Sequence, residues 1–153
     1  WIKNKKIEKL NLSSKSQETV ITHVTGIFDF DINAKADLFF LDNTEFIYKA
    51  SLDGENIEEI YETYQGSRIA VGDNSKYIYW SDNTSKDDMN RYNIETGNNT
   101  THIIGIESSG PRNIAIHQGE NKIFYTSFGE AYLYSANLSS GSGLEASGIS
   151  ALY

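Results

Sequence analysis

Three groups of side chains in this sequence are of types that can do chemistry. Asp29 and Asp31 stand two residues apart, with Asp73 further along, and grouped carboxylates can hold a hard cation such as calcium or move protons in acid–base catalysis. Three histidines, His23, His102 and His117, titrate near neutrality and are the candidate pH-sensing residues. No two of them have the spacing of a metal-binding pair. Five Asn-x-Ser/Thr sequons, at Asn11, Asn83, Asn98, Asn99 and Asn137, are candidate glycosylation sites. Asn83 and Asn98 fall in expected turns, and Asn11 and Asn137 on expected strands. Each group has a plainer reading: solvated turn carboxylates, hydrogen-bonded strand histidines and sequons that arise from an Asn- and Ser-rich composition. Lys86-Asp87-Asp88 reads as a solvated loop tip. No Gly-x-Ser-x-Gly elbow picks a nucleophile out of the serines, and the Gly-rich stretch from Ser139 to Gly148 lacks the Lys and the following helix of a phosphate cradle. No catalytic residue and no metal ligand is assigned.

What positions these residues is a repeat. Leu38-Phe39-Phe40-Leu41-Asp42, Ile78-Tyr79-Trp80-Ser81-Asp82 and Ile123-Phe124-Tyr125-Thr126-Ser127 share an aliphatic residue followed by two aromatics. The second aromatics, Phe40, Trp80 and Tyr125, are 40 and 45 residues apart, and Trp1 lies 39 residues before Phe40. Periods of that size mark a propeller or a solenoid. A second phrase follows each copy: Ile7–Ser13, Ile47–Gly54, Met89–Glu95 and Leu133–Ser139 alternate apolar and polar residues, as a strand with one buried face does. Turns follow at Asp53-Gly54, Thr96-Gly97 and Ser140-Gly141. Third strands are expected at Thr19–Thr22, Glu59–Tyr61 and His102–Ile104. Fourth strands precede each aromatic phrase, at Phe28–Phe30, Ile69–Val71 and Ile114–Ile116.

Four short strands per repeat of about 40 residues make one blade of a β-propeller. The expectation is an all-β chain of four-stranded antiparallel blades, about four of them, covering 1–22, 24–62, 66–105 and 110–147. A further strand would begin within 149–153, making sixteen strands in all. Pro111 is expected in an inter-blade loop. The chain opens and closes within blades, so it reads as part of a larger ring; a stand-alone four-bladed protein is the alternative.

Composition limits function. The formal charge is −8, which argues against a nucleic-acid binder, since phosphate neutralisation needs clustered Lys and Arg. There is no cysteine, which excludes disulfides, thiolate metal sites and cysteine nucleophiles. No apolar run approaches the roughly 18 residues of a membrane helix.

The Tyr79-Trp80-Ser81-Asp82 phrase, with Ile69-Ala70-Val71 before it and Leu52-Asp53-Gly54 closing a strand of the preceding unit, resembles the low-density-lipoprotein receptor class B repeat. The Trp80 copy stands nearest that family's Tyr-Trp-Thr-Asp motif; Phe39-Phe40-Leu41-Asp42 lacks the Thr, and Phe124-Tyr125-Thr126-Ser127 lacks the Asp. The resemblance implies a six-bladed propeller in an extracellular receptor or matrix protein, where it acts as a non-enzymatic binding module. A protein ligand would sit on one face, and the ring's remaining blades, or a second copy, would lie beside this piece. It also suggests that propeller histidines release ligand in acidic endosomes. Independently of that, the alternating aromatics should put one ring on each face of the sheet. Phe40, Trp80 and Tyr125, with Asp42 and Asp82, are then the expected inter-blade residues, each Asp accepting backbone N–H groups from a neighbouring blade. Loss of the Asp at Ser127 predicts a weaker joint there. Tyr61, Tyr64, Tyr77 and Tyr92 are candidate contact residues. A calcium-dependent, lactonase-like hydrolase with tunnel carboxylates remains the enzymatic alternative; otherwise no cofactor is indicated.

Overall fold

A computed structural model describes residues 1–23, 25–63, 66–72, 76–82, 89–100, 111–117, 119, 121–127, 132–138 and 146–151. Among them the regular structure is entirely β, in four antiparallel sheets that follow one another along the chain. The first sheet holds β1 (Ile2–Lys3), β2 (Lys6–Leu10) and β3 (Gln17–Thr22). The second holds β4 (Ile27–Ile32), β5 (Asp37–Asp42), β6 (Phe46–Ser51) and β7 (Glu58–Glu62). β8 (Gly66–Gly72), β9 (Tyr77–Asp82), β10 (Met89–Asn93) and β11 (Asn99–Thr100) form the third. The fourth comprises β12 (Pro111–His117), β13 (Lys122–Ser127), β14 (Leu133–Leu138) and β15 (Ala146–Ala151). In every four-stranded sheet the first strand lies innermost: β8 packs beside β4 on one side and β12 on the other. The chain is a partial β-propeller.

The aromatic phrases occupy β5, β9 and β13 and explain how the sheets stack. Side chains alternate faces along a strand, so the two aromatics of each phrase enter different seams. Phe40 packs backward with Leu38 and Ala50 against Ile7 and Ile21 of the first sheet. Phe39 packs forward with Leu41 and Ile47 onto Ile69, Val71, Ile78 and Trp80 of the third. One repeat later Trp80 fills that same seam, while Tyr79, with Met89, faces Ile123, Tyr125, Ala136 and Leu138 of the fourth. Phe39 and Phe40 are fully buried. The core is therefore divided into three slabs, each shared between consecutive sheets.

Local turn chemistry sets how closely the sheets approach. Gly54, in the turn after β6, has φ +85°, and a Cβ there would come within 1.8 Å of the Val20 carbonyl oxygen of β3. Only glycine satisfies both the left-handed backbone and that contact. Asn99 of β11 donates through its side-chain amide to the Tyr61 hydroxyl of β7, which joins the outer strands of the second and third sheets.

Two expectations are corrected here. Ile149–Leu152 does not open a further blade. Residues 146–151 form β15, the outer strand of the fourth sheet, with Tyr134 paired to Ala151 and Leu138 to Ala146. The described strands therefore number fifteen, not sixteen, and the end of the glycine-rich stretch, Ser147-Gly148, lies in a strand. Alternating small residues gave that segment little hydrophobic signal. Pro111 is the first residue of β12, not a loop residue; a strand's first position tolerates the missing N–H. Asn99–Thr100 form β11 at the outer edge of the third sheet; the strand expected at His102–Ile104 lies outside the described residues.

Because the seams carry the fold, Phe40→Ala and Trp80→Ala should each cost about 3–5 kcal/mol, as buried aromatic-to-alanine changes do. Chemical denaturation would show this as a lower midpoint. Phe28→Ala, on a side chain 52% exposed, should cost well under about 1 kcal/mol.

Candidate functional site

β4, β8 and β12 wall the inside of the arc. Between them lies an open groove of about 430 Å³, whose polar lining is Asp29, Asp31, Arg68 and Asn113 and whose floor is Ile69, Val71, Ile114 and Ile116 with their neighbours. Asp29 and Asp31 alternate along β4 with Phe30 and Ile32, so both carboxylates leave the strand on one side. On that side they meet the backbone of the next sheet. The Ile69 N–H donates to Asp29 Oδ2 at 3.1 Å, and the Val71 N–H donates to Asp31 Oδ2 at 2.8 Å. The other oxygen of Asp31 accepts the Ile32 N–H at 2.8 Å. Each donor stands 40 residues beyond its carboxylate, one full repeat.

The equivalent positions one blade on are Arg68 and Ala70, which offer no acceptor. The seam between third and fourth sheets is tied differently there: the Arg68 Nε–H donates to Asn113 Oδ1 at 3.3 Å, and Arg68 Nη1 donates to the Ser67 carbonyl at 2.7 Å. Burial pushes the Asp29 carboxyl above the ordinary aspartate range. The Ile69 and Phe30 N–H groups and the Arg68 charge pull it back only in part, and Asp31 adds to the upward push. Asp73 lies outside the described residues.

Asp42 does something other than the sequence suggests. Asp42, completely buried at the end of β5, accepts four hydrogen bonds. They come from the Thr25 hydroxyl (2.7 Å), the Thr44 hydroxyl (2.6 Å), the Thr44 N–H (3.0 Å) and the Phe46 N–H (2.9 Å). Three of the four arise in its own β5–β6 turn, and Thr25 belongs to the link from β3 to β4. The carboxylate thus clamps the link onto the hairpin instead of accepting backbone N–H groups from another sheet. Asp82 likewise accepts from a residue of its own sheet, the Asn90 side-chain amide of β10, at 3.2 Å. The backbone tie across the seam belongs to Asp29 and Asp31. Their strand, Phe28-Asp29-Phe30-Asp31, alternates apolar and acidic, and the 40-residue step to Ile69 and Val71 was the available clue. The eroded aromatic phrase ending at Ser127 sits at the seam that lacks these acceptors, but what distinguishes that seam is Arg68 and Ala70.

Of the histidines, His23 lies in the same link as Thr25. Its Nδ1 is 2.9 Å from Thr25 Oγ1 and 3.8 Å from Asp42 Oδ2. The Thr25 hydroxyl gives its single proton to Asp42, so His23 Nδ1 is the donor in the bond to Thr25. The imidazole meets Phe40 edge-on at 5.3 Å and Tyr48 at 4.8 Å. His117 is exposed at the end of β12, and His102 lies outside the described residues. His23 and His117 thus lie apart in the fold's order, one in the link before β4 and the other on β12.

The sequons scatter too. Asn11 is in a turn, not on a strand: its Oδ1 accepts the Ser13 and Ser14 N–H groups. Asn98 is exposed in the turn before β11, Asn99 opens β11, Asn137 is exposed on β14, and Asn83 lies outside the described residues. Of the candidate contact tyrosines, Tyr61 and Tyr92 pack at the seam between the second and third sheets. Tyr77 lies against the next seam with Arg91 over its ring at 4.2 Å, and Tyr64 is not among the described residues.

No protein-family model matches the sequence, and no curated protein matches it. Solved structures do match in fold. The crystal structure of a nidogen/laminin complex superposes with a TM-score of 0.73 at 17% identity, covering 89% of this chain and 56% of that one. A putative TolB from Agrobacterium tumefaciens gives 0.74 at 16% identity, covering 93% and 54%. A gluconolactonase from Xanthomonas campestris gives 0.73 at 10% identity, covering 92% and 54%. The chain spans about half the length of each.

The two kinds of aspartate should be separable by pH. Burial pushes Asp42 up, but the hydrogen bonds from Thr44, Thr25 and Phe46 outweigh it and hold its carboxyl below the ordinary range. Its contribution to stability is present above the unfolded carboxylate pKa and is lost as pH falls through the depressed folded value. Asp42→Asn should therefore lower stability at pH 7 by about 1–3 kcal/mol and flatten the acid limb of a stability–pH curve. Asp29 has the opposite sign: its raised value favours folding at acid pH, and that benefit fades as pH rises through it. Asp29→Asn, which keeps an acceptor for Ile69, should leave neutral-pH stability unchanged or higher. Asp29→Ala, which removes the acceptor, should cost about 1–3 kcal/mol.

Proposed function

We propose that this chain is a non-enzymatic protein-binding module, part of an extracellular propeller of the Tyr-Trp-Thr-Asp type in a receptor or matrix protein. The observation that carries the reading is the use made of the inner carboxylates. Asp29 and Asp31 are the side chains an enzyme of this shape would turn to a metal or to proton transfer, and here both hold backbone N–H groups of the neighbouring blade. Both carboxylates thus serve the joint between blades. The repeat phrases around Trp80 support the same family, as does the likeness to a propeller found in a nidogen/laminin complex.

On this reading the partner is a protein held on one end of the disc. Loops on a rigid scaffold are where such proteins place their contacts. In an antiparallel blade, successive connections go to opposite ends, which divides the loops into two sets. One set includes 43–45, between β5 and β6, and the other includes 11–16, 52–57 and 94–98; we assign binding to the end that carries 43–45. The remaining blades of a six-bladed ring would complete the disc. Glycans at the exposed Asn98 and Asn11 would occupy the opposite end and leave the binding end clear.

The gluconolactonase likeness makes a hydrolase the reading to test against. Calcium added to the purified chain should leave its melting temperature unchanged, and sugar lactones should not be turned over. A calcium-dependent rise in melting temperature accompanied by lactone hydrolysis would overturn the proposal. Secretion from a eukaryotic host should yield a glycosidase-sensitive product, reduced in mass by Asn98→Gln together with Asn11→Gln.

A further inference from the structure

Innermost strands meet twice among the described residues, β4 beside β8 and β8 beside β12, and the two meetings differ in their polar groups. Ile69 and Val71 pair with Trp80 and Ile78 in the third sheet, as Ile114 and Ile116 pair with Tyr125 and Ile123 in the fourth. The two pairs are therefore equivalent in register. The N–H groups of Ile69 and Val71 point away from β9, and Asp29 and Asp31 accept them. In an antiparallel ladder the same register gives the same outward direction, so the Ile114 and Ile116 N–H groups point away from β13 into the groove that both residues line. The positions equivalent to Asp29 and Asp31 are Arg68 and Ala70, and no described side chain accepts either N–H. Arg68 is half-buried, held at the groove by Asn113 and the Ser67 carbonyl. Asp29 feels its charge, yet no described carboxylate forms an ion pair with it, although acidic residues outnumber basic ones by 21 to 13.

We propose that the notch between β8 and β12 binds a short linear dicarboxylate, one carboxylate accepting the Ile114 N–H beside the Arg68 guanidinium and the other accepting the Ile116 N–H. The preceding seam specifies this chemistry, because there two carboxylates borne two residues apart satisfy the equivalent pair of donors. Donors two residues apart on a strand stand about 6.6 Å from one another, at roughly 3.3 Å per residue. A single carboxylate or phosphate, with its oxygens on one atom, reaches one of them; a dicarboxylate of succinate to glutarate length reaches both. The guanidinium makes the first of these bonds charge-assisted and so stronger than a neutral one. Ala70 and Ala115 line the notch with small side chains and leave room for the ligand's methylene chain. Asp29 and Asp31 stay on Ile69 and Val71, and their charge disfavours an anion on the β4 side, which confines the ligand to β12. The site lies inside the arc, apart from the end loops to which protein binding is assigned, and does not rest on that assignment.

The test titrates the whole nitrogen-15-labelled chain with sodium glutarate and, in parallel, sodium succinate, at neutral pH and constant ionic strength. Saturable downfield shifts of the Ile114 and Ile116 amide protons are expected, while those of Ile69 and Val71, already bonded to Asp29 and Asp31, stay in place. Acetate should bind at least tenfold more weakly. Arg68→Gln, which keeps a hydrogen-bonding side chain at a half-buried position, should weaken dicarboxylate binding at least tenfold. Ala70→Asp, which returns an acceptor to the position equivalent to Asp31, should abolish binding and shift the Ile116 amide downfield without any ligand. Should Ala70→Asp fail to fold, Arg68→Gln decides alone. Three results would overturn the proposal. One is no saturable shift of the two amides with either dicarboxylate. Another is an equal response to acetate or chloride, which would mean an adventitious ion only. The third is unchanged affinity in Arg68→Gln.

Discussion

A strand of five or six residues in a four-stranded sheet has room for only two or three side chains on each face. Such a sheet cannot bury its own apolar residues, and both faces of the sheets here are apolar. The seam between consecutive sheets is thus the interaction on which everything else depends. The second and third sheets each send one aromatic backward and one forward, so the seams are filled in turn by Phe40 against Ile7 and Ile21, Phe39 against Trp80, and Tyr79 against Tyr125. Stability in such an arrangement comes from nearest-neighbour contacts, as in other repeat proteins.

Apolar packing is nearly non-directional, and it does not by itself fix how far one sheet slides past the next. The polar contacts do that. Two carboxylates spaced two residues apart on β4 accept two N–H groups spaced two residues apart on β8, which locks the register of the inner rim. The outer rim of the same seam is joined by Asn99 and Tyr61. Asp42 fixes a different coordinate, the path of the link that delivers the chain from the first sheet to the second, and His23 and Thr25 complete that clamp. The seam between the third and fourth sheets has Arg68 and Asn113 in place of the acidic pair, so the seams are alike in apolar filling and unlike in polar fastening.

Much of this was legible in the residues. The 40-residue recurrence of paired aromatics revealed the number of sheets and their order, and the alternation in Ile47–Gly54 and Leu133–Ser139 located the strands Phe46–Ser51 and Leu133–Leu138. The errors share a cause. β15, Ala-Ser-Gly-Ile-Ser-Ala, has too few large residues for periodicity to speak, and it was placed by its pairing with β14. Asp42 and Asp29 are the same residue type beside similar neighbours. One ends buried among hydroxyls and the other across a seam, a difference set by what lies 17 or 40 residues away. Propensity and pattern act over a few residues, whereas the Thr25 bond to Asp42 spans 17 residues and the Ile69 bond to Asp29 spans 40.

By itself, the sequence determined that the chain is β throughout, that it is built from repeats, and which aromatics serve as the filling. Those properties follow from alternation along one strand and from the recurrence of one unit. Tertiary structure alone decided which side chains fasten the units to one another. It gave Asp29 and Asp31 hydrogen bonds to the backbone of the next sheet, and it brought Thr25 of the preceding link onto Asp42. The reason is geometric: a hydrogen bond across a seam needs a donor brought within about 3 Å by the stacking of whole sheets, and no local run of residues encodes that distance.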